Sequence, residues 1–151
     1  MLDTGITPIR VFSNAARFIE AYHRVLQPLC RESGLPPLAV DILMFAANNP
    51  EYATAKNICK YRGMKPSIVS VHVERLVGEG YLQRQEVPGD RRQTLLICTE
   101  RARSLIEHGR DLQKQFSERL TLGMSDADRE ALHKAMTLFD NNIEEIRKNG
   151  L

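Results

Sequence analysis

A chain of 151 residues, 42% hydrophobic and 26% charged with a formal net charge of +2, has the makeup of one globular domain or a two-part helical assembly. Its longest apolar runs, such as Ile42–Ala47, fall far short of the roughly 20 residues a membrane-spanning helix needs, and the N-terminus has no signal-peptide pattern, so a cytoplasmic location with no membrane partner is expected. Cys30, Cys59 and Cys98 are widely spaced without a CxxC pair, which argues against a disulfide framework or a zinc site.

Thr7 followed by Pro8 predicts a capped helix start, because proline suits the first turn, where its missing N–H has no partner to lose. Phe12, Ala15, Ile19, Tyr22, Leu26 and Leu29 then recur at alternating three- and four-residue steps, a seam made for lengthwise packing on other helices. Val11, Phe18 and Val25 run beside it, so this helix needs cover on more than one side. Pro28 removes the bond to the Arg24 carbonyl and predicts a kink or fraying, and Gly34 ends the segment. A second helix opens at Leu35-Pro36-Pro37, buries Leu38, Ile42, Leu43, Phe45 and Ala46, and stops at Asn48-Asn49-Pro50. Thr54 caps a short helix over 55–61, Gly63 makes the turn after it, and a further helix runs from Pro66 to Glu79, where Gly80 ends it.

After Gly80 the period changes from 3.6 to 2. Residues 81–87 and 94–98 read as paired strands joined by a polar loop over 88–93. Such a hairpin is marginal alone and must lean on the helices. Thr99 is the expected cap of a helix from about Glu100 to Leu122, with Ala102, Leu105, Ile106, Gly109, Leu112, Phe116 and Leu120 along its apolar line. Ser125-Asp126-Ala127-Asp128 forms a capping box with aspartate in the glutamate role. It opens a last helix that is expected to bury Leu132, Ala135, Met136, Phe139, Ile143 and Ile146.

This order of helices, glycine turn and hairpin is a winged helix-turn-helix arrangement, in a chain that is mainly α with one small β-hairpin. Residues 56–92 hold eight Lys and Arg against four acids, a net of +4, so the rest of the chain carries −2. A locally basic middle is the footprint of a modest DNA-binding module, although many charged faces are merely solvated. On the helix from Pro66, Val69, Val73, Leu76 and Val77 share one side and must face the core. The opposite side presents Ser67, Ile68, Val71, Glu74 and Arg75, flanked by Ser70 and His72. Ile68 and Val71 make sense there if they meet thymine methyl groups in a major groove; Ser67 and Ser70 are short donors and acceptors near the helix start, and Lys65 suits a phosphate. At the hairpin tip, Asp90-Arg91-Arg92 is either an ordinary charged turn or a finger for the minor groove, with Asp90 orienting an arginine.

The chain resembles the MarR family of multiple-antibiotic-resistance regulators over nearly its whole length. The resemblance is carried by Gly34–Leu43, by Lys65–Ser70 continuing to Arg75–Arg84, by Pro88-Gly89-Asp90-Arg91-Arg92, and by Leu96–Ala102. It implies a dimerisation region at 8–33 and 100–149 and a winged-helix DNA-binding lobe at 35–99. It further implies an obligate homodimer through Phe12, Ala15, Ile19, Leu132, Phe139 and Ile143. In the family's D-x-R wing motif the second arginine enters the minor groove, a role that falls to Arg92, braced by Asp90. The expected function is a transcriptional regulator, a repressor on double-stranded DNA with a pseudo-palindromic operator, released by a small amphipathic effector. Pro36 stands where the family often has Thr, and Ala102 where it often has Gly. Tyr22, His23, Arg24 and Tyr61 are candidates to line an effector cleft, although structural roles are favoured for each. Relatives that sense oxidants carry a cysteine near the start of the first helix, where this chain has Phe12, Ser13 and Asn14; Cys30 lies near that helix's end, so redox sensing is disfavoured and an unusually acidic Cys30 thiol would revive it.

The four histidines form no HxxxH or HExxH pattern, and GxSxG, Walker and GxGxxG motifs are missing, so no catalytic residue, metal or cofactor is expected. The competing reading is a protein–protein adaptor on the same scaffold, against which Arg91, Arg92 and the basic middle stand.

Overall fold

The computed structural model describes residues 7–151. Its elements in order are α1 (Pro8–Val25), α2 (Gln27–Ser33), α3 (Pro37–Asn48), α4 (Ala55–Arg62), α5 (Pro66–Gly78), β1 (Leu82–Val87), β2 (Asp90–Cys98), a 3-10 turn (Glu100–Ala102), α6 (Arg103–Leu120) and α7 (Asp126–Asn149). The chain divides into two compact units, one up to Lys114 and one over Gln115–Leu151. It is the expected mostly helical winged-helix fold with one small hairpin. None of the helices is long and apolar enough to cross a membrane among the described residues.

The local signals act as the sequence predicts. Thr7 accepts from the Arg10 N–H and Thr54 from the Asn57 N–H, each satisfying a donor that a helix start leaves orphaned. Ser125 and Asp128 close a reciprocal capping box, and the bonds from the Ser125 N–H and hydroxyl hold the Asp128 carboxyl below its ordinary range. The break expected near Pro28 falls at Leu26, between α1 and α2, because a proline in the first turn of α2 begins a new helix more easily than it continues an old one. Thr99 does not cap. Its hydroxyl donates to the Gly80 carbonyl at 2.5 Å, pinning the chain as it enters the hairpin.

Helix α3 lies at the centre of the first unit, with Ala39, Val40, Asp41, Ile42, Leu43, Met44 and Ala46 all buried. Leu26 and Leu29 pack on it from the N-terminal side, Ile58, Val69 and Leu76 from α4 and α5, and Leu105 and Ile106 belong to the same core. Gly109 is where α6 comes nearest: a Cβ built there would meet the Met44 sulfur at 2.4 Å and a Leu29 methyl at 3.1 Å. The hairpin leans on this core through Leu82 and Leu96, and Thr54 adds a single bridge to Leu95. Its tip is tighter than the six-residue loop expected. Pro88-Gly89 is the whole turn, and the register passes from Glu86–Thr94 to Val87–Asp90, so Arg91, Arg92 and Gln93 form a bulge on β2.

The seam on α1 meets two fates. Leu26 and Leu29, beyond the break, are fully buried, whereas Phe12 is 74% exposed and Ile19 47%. In the second unit α7 buries none of its residues, contrary to the expectation that it would bury Leu132, Met136, Phe139, Ile143 and Ile146. Periodicity identifies an apolar face, and a face can be completed by a surface from outside the chain.

Replacing Gly109 tests the closest helix approach. Gly109→Ala gains helix propensity of about 1 kcal/mol but must displace the fully buried Met44, and the net expectation is a loss of about 1 kcal/mol. Gly109→Val, with a second branch and no propensity gain to match, should lose about 2–3 kcal/mol in urea denaturation at fixed protein concentration.

Candidate nucleic-acid interface

Helix α5 is amphipathic in the sense its sequence predicts. Val69, Val73 and Leu76 are buried, Val77 is partly buried, and Ser67, Ile68, Ser70, Val71, Glu74 and Arg75 are exposed. Ile68 is 39% and Val71 65% exposed, an apolar pair on an otherwise polar ridge. Lys65 sits at the N-cap without a side-chain cap bond and is exposed. His72, on the flank, is partly buried; burial first, then the Arg75 charge, pulls its pKa below the ordinary histidine value.

Two of the charged residues on this ridge are engaged with the protein itself. Glu74 pairs with Arg84 of β1, joining the wing to α5. The Arg75 Nε donates to Glu79 at 2.7 Å and its Nη2 to the Gly34 carbonyl at 2.9 Å.

At the wing, the Asp90 carboxylate accepts the backbone N–H of Arg92 at 3.0 Å. It braces the bulge through the main chain and does not hold a guanidinium. The side chains of Arg91 and Arg92 are exposed and make no hydrogen bond or ion pair with the described residues. Between the wing, α4 and α5 lies a groove of about 560 Å³, floored by Cys59, Val73 and Leu96 and edged by Lys56, Ser70, Arg84 and Arg92. Sequence reasoning singled out neither Lys56 nor Arg84. Their common signal was membership of the basic stretch, which has no periodicity to show that they share an edge.

The second feature missed is Asp41, only 3% exposed in the middle of α3. The Arg62 Nη2, from the last residue of α4, lies 2.7 Å from both its oxygens, and the His23 Nε2 of α1 lies 3.4 Å away. The Arg62 guanidinium also sits over the Tyr22 ring at 5.5 Å, and the Tyr22 hydroxyl accepts from Gln113 at 2.6 Å. Burial raises the Tyr22 pKa above its ordinary value. Tyr22 and His23, considered for an effector cleft, are thus tied into this cluster. Tyr61 stacks on Phe45 and Arg24 is exposed, 4.0 Å from Glu20, so the four candidates are not gathered on one cavity. Ile19, Glu20, His23 and Arg24 do line a shallow depression on α1.

Of the residues assigned to dimerisation, Phe12, Ala15 and Ile19 are exposed on α1, and Leu132, Phe139 and Ile143 on α7. Burial pushes the Cys30 and Cys98 thiols above their ordinary pKa, the opposite of an activated thiolate. Among the described residues no group of three or more His, Cys, Asp and Glu is placed to hold a metal.

A model of the MarR family matches residues 33–93, which span α3, α4, α5, β1 and the wing tip. No curated protein matches the chain in sequence. Solved structures match its fold over nearly the full length. A MarR protein from Peptoclostridium difficile has a TM-score of 0.74 at 14% identity, with 96% of this chain and 94% of that one covered. A MarR family transcriptional regulator from Listeria monocytogenes, complexed with 26mer DNA, has a TM-score of 0.73 at 14% identity, with 97% of each chain covered. CouR from Rhodococcus jostii, bound to p-coumaroyl-CoA, has a TM-score of 0.61 at 20% identity, covering 83% of this chain and 86% of that one. The winged-helix segment therefore matches the MarR family by sequence, and the chain matches MarR transcriptional regulators by fold.

Removing Arg62 strands the Asp41 carboxylate in an aliphatic core. Arg62→Ala should destabilise by about 3 kcal/mol, the lower end of the range for a broken buried pair, because the arginine side chain is itself 29% exposed. Asp41→Leu combined with Arg62→Met should recover most of that loss in denaturant titrations, since an apolar pair leaves no charge to strand.

Proposed function

We propose that this chain is a sequence-specific DNA-binding transcriptional regulator, a repressor that acts as a homodimer on a pseudo-palindromic operator and is released by a small amphipathic effector. The observation that carries the reading is the α5 ridge: Ser67, Ile68, Ser70 and Val71 are exposed on a helix whose other side is sealed into the core. Short hydroxyls and methyl groups in that order suit base edges and thymine methyls. Arg91 and Arg92, exposed on the β2 bulge beside the groove that Ser70 of α5 also lines, suit the narrow and negative minor groove, and Lys65 suits a phosphate. The DNA-bound Listeria relative supports the same use of the fold. The effector is supported by analogy with the ligand-bound Rhodococcus relative, and the depression on α1 is the surface offered for it.

Homodimerisation is supported by the uncovered apolar faces of α1 and α7. Phe12 and Ile19 on α1, and Phe139 and Ile143 on α7, are each at least 40% exposed, and rows of large apolar side chains in water mark surfaces made for association.

Selection of bound DNA fragments by the purified protein at low salt tests the reading directly. Enrichment of an inverted repeat is expected, and enrichment of nothing would favour a protein–protein adaptor. On the selected fragment, Arg92→Ala should weaken binding by about 1–3 kcal/mol, measured by fluorescence anisotropy. Equal affinity for wild type and Arg92→Ala would remove the wing from the interface. Ile143→Asp should convert the dimer to a monomer in light scattering, because it places a charge in the middle of the proposed seam.

A further inference from the structure

We infer that Arg75 is a positioning residue of the recognition helix, one that clamps α5 to the elbow between α2 and α3 and so sets the distance between the paired recognition helices. This inference rests on the DNA-binding reading above. By its place in the sequence Arg75 belongs to the exposed ridge of α5, where a guanidinium would be expected to reach for DNA. Its side chain instead folds back across 41 residues of sequence to the Gly34 carbonyl at 2.9 Å, while Glu79 holds the Nε at 2.7 Å.

The elbow it grips has little slack. Gly34 closes α2 in the left-handed region at φ 73°, with its own N–H bonded to the Cys30 carbonyl at 2.8 Å. The Ser33 hydroxyl donates to the Leu29 carbonyl and accepts from the Leu35 N–H, Leu35 is 2% exposed, and Pro36 and Pro37 fix the next two φ angles. A carbonyl on so rigid a corner is a fixed point, and the planar fork of an arginine can hold it and Glu79 at once. The grip lies in the last turn of α5, while the base-facing Ser67 and Ile68 lie in the first. A helix held at its far end against the α1–α2 segment follows that segment as a lever. Val69, Val73 and Leu76 keep α5 on the core regardless, so losing the grip frees the lever without unfolding the lobe.

The test uses the full-length protein and a set of operators derived from the selected fragment, with the two half-sites moved apart or together by one base pair. Each step changes their separation by about 3.4 Å and turns one half-site by about 35°. Wild type should prefer its own spacing by about tenfold, the size of a typical coupling between two sites. Arg75→Ala should narrow that preference to about threefold or less, with the slope of affinity against salt unchanged. Arg75→Lys, which reaches one partner and not two, should fall between, and Glu79→Gln, which leaves the Gly34 bond in place, should behave as wild type. If Arg75→Ala weakens every spacing alike and lowers the salt slope by about one, Arg75 is a phosphate contact and the inference is overturned. If its spacing preference equals that of wild type, the clamp sets nothing. Failure of the wild-type protein to select any sequence would overturn the DNA reading itself, and would be seen before any variant is made.

Discussion

A carboxylate buried among leucines and valines is the constraint on which the arrangement of the lobe turns. Asp41 lies between Val40 and Ile42, both wholly shielded from water, and a charge in that setting is tolerated only if a partner reaches it. The partner is Arg62, the last residue of α4, with His23 of α1 on the other side. Aliphatic cores accept alternative packings of similar volume and lose uniqueness before they lose stability, and this core has no tryptophan and few aromatic rings. An ion pair has one place to be. Once Arg62 is fixed, the chain has three residues, Gly63 to Lys65, before α5 begins, so the end of α4 dictates where α5 starts.

The same cluster joins parts of the molecule that perform different tasks. Tyr22 stacks under Arg62 and accepts from Gln113, while Arg110 bonds the Ala47 carbonyl and the Asn48 side chain at the end of α3. Helices α1, α3, α4 and α6 are therefore linked by polar contacts that pass from the buried Asp41 out to the surface at Asn48 and Arg110. Helix α1 touches Asp41 through His23 and Arg62 through Tyr22, and Arg62 is the residue that leads into the turn before α5.

What could be read from the sequence was what depends on near neighbours. The caps at Thr7, Thr54 and Ser125, the sealed side of α5 and the turn glycines are each decided within four residues, and the structure has them where their spacing puts them. The wing was legible as a hairpin, but Pro88-Gly89 closes it in two residues and leaves the arginines on a bulge, a distinction that depends on register across the strands. Asp41 was missed because no residue near it in sequence pairs with it, and its partner lies 21 residues away. Arg75 shows the limit most clearly. A helical wheel places its Cα on the outer ridge correctly, yet the side chain is long enough to turn back to Gly34.

The uneven fate of the α1 seam completes the argument. One continuous pattern of apolar residues runs from Phe12 to Leu29, but its last two members are sealed in the lobe while its first three are in water. If the whole seam served the internal core, Phe12 and Ile19 would be covered by it; if it served only a partner, Leu26 and Leu29 would be available to that partner. The break at Leu26 is where the exposed and buried stretches divide, and Pro28 is what permits the division, since an unbroken helix would carry Leu29 along the same line as Phe12. The helix whose open half stays in water is therefore rooted, within one turn of the break, in the same core that seals Val69, Val73 and Leu76 of α5. A surface that covered that half would bear on a helix anchored where α5 is anchored.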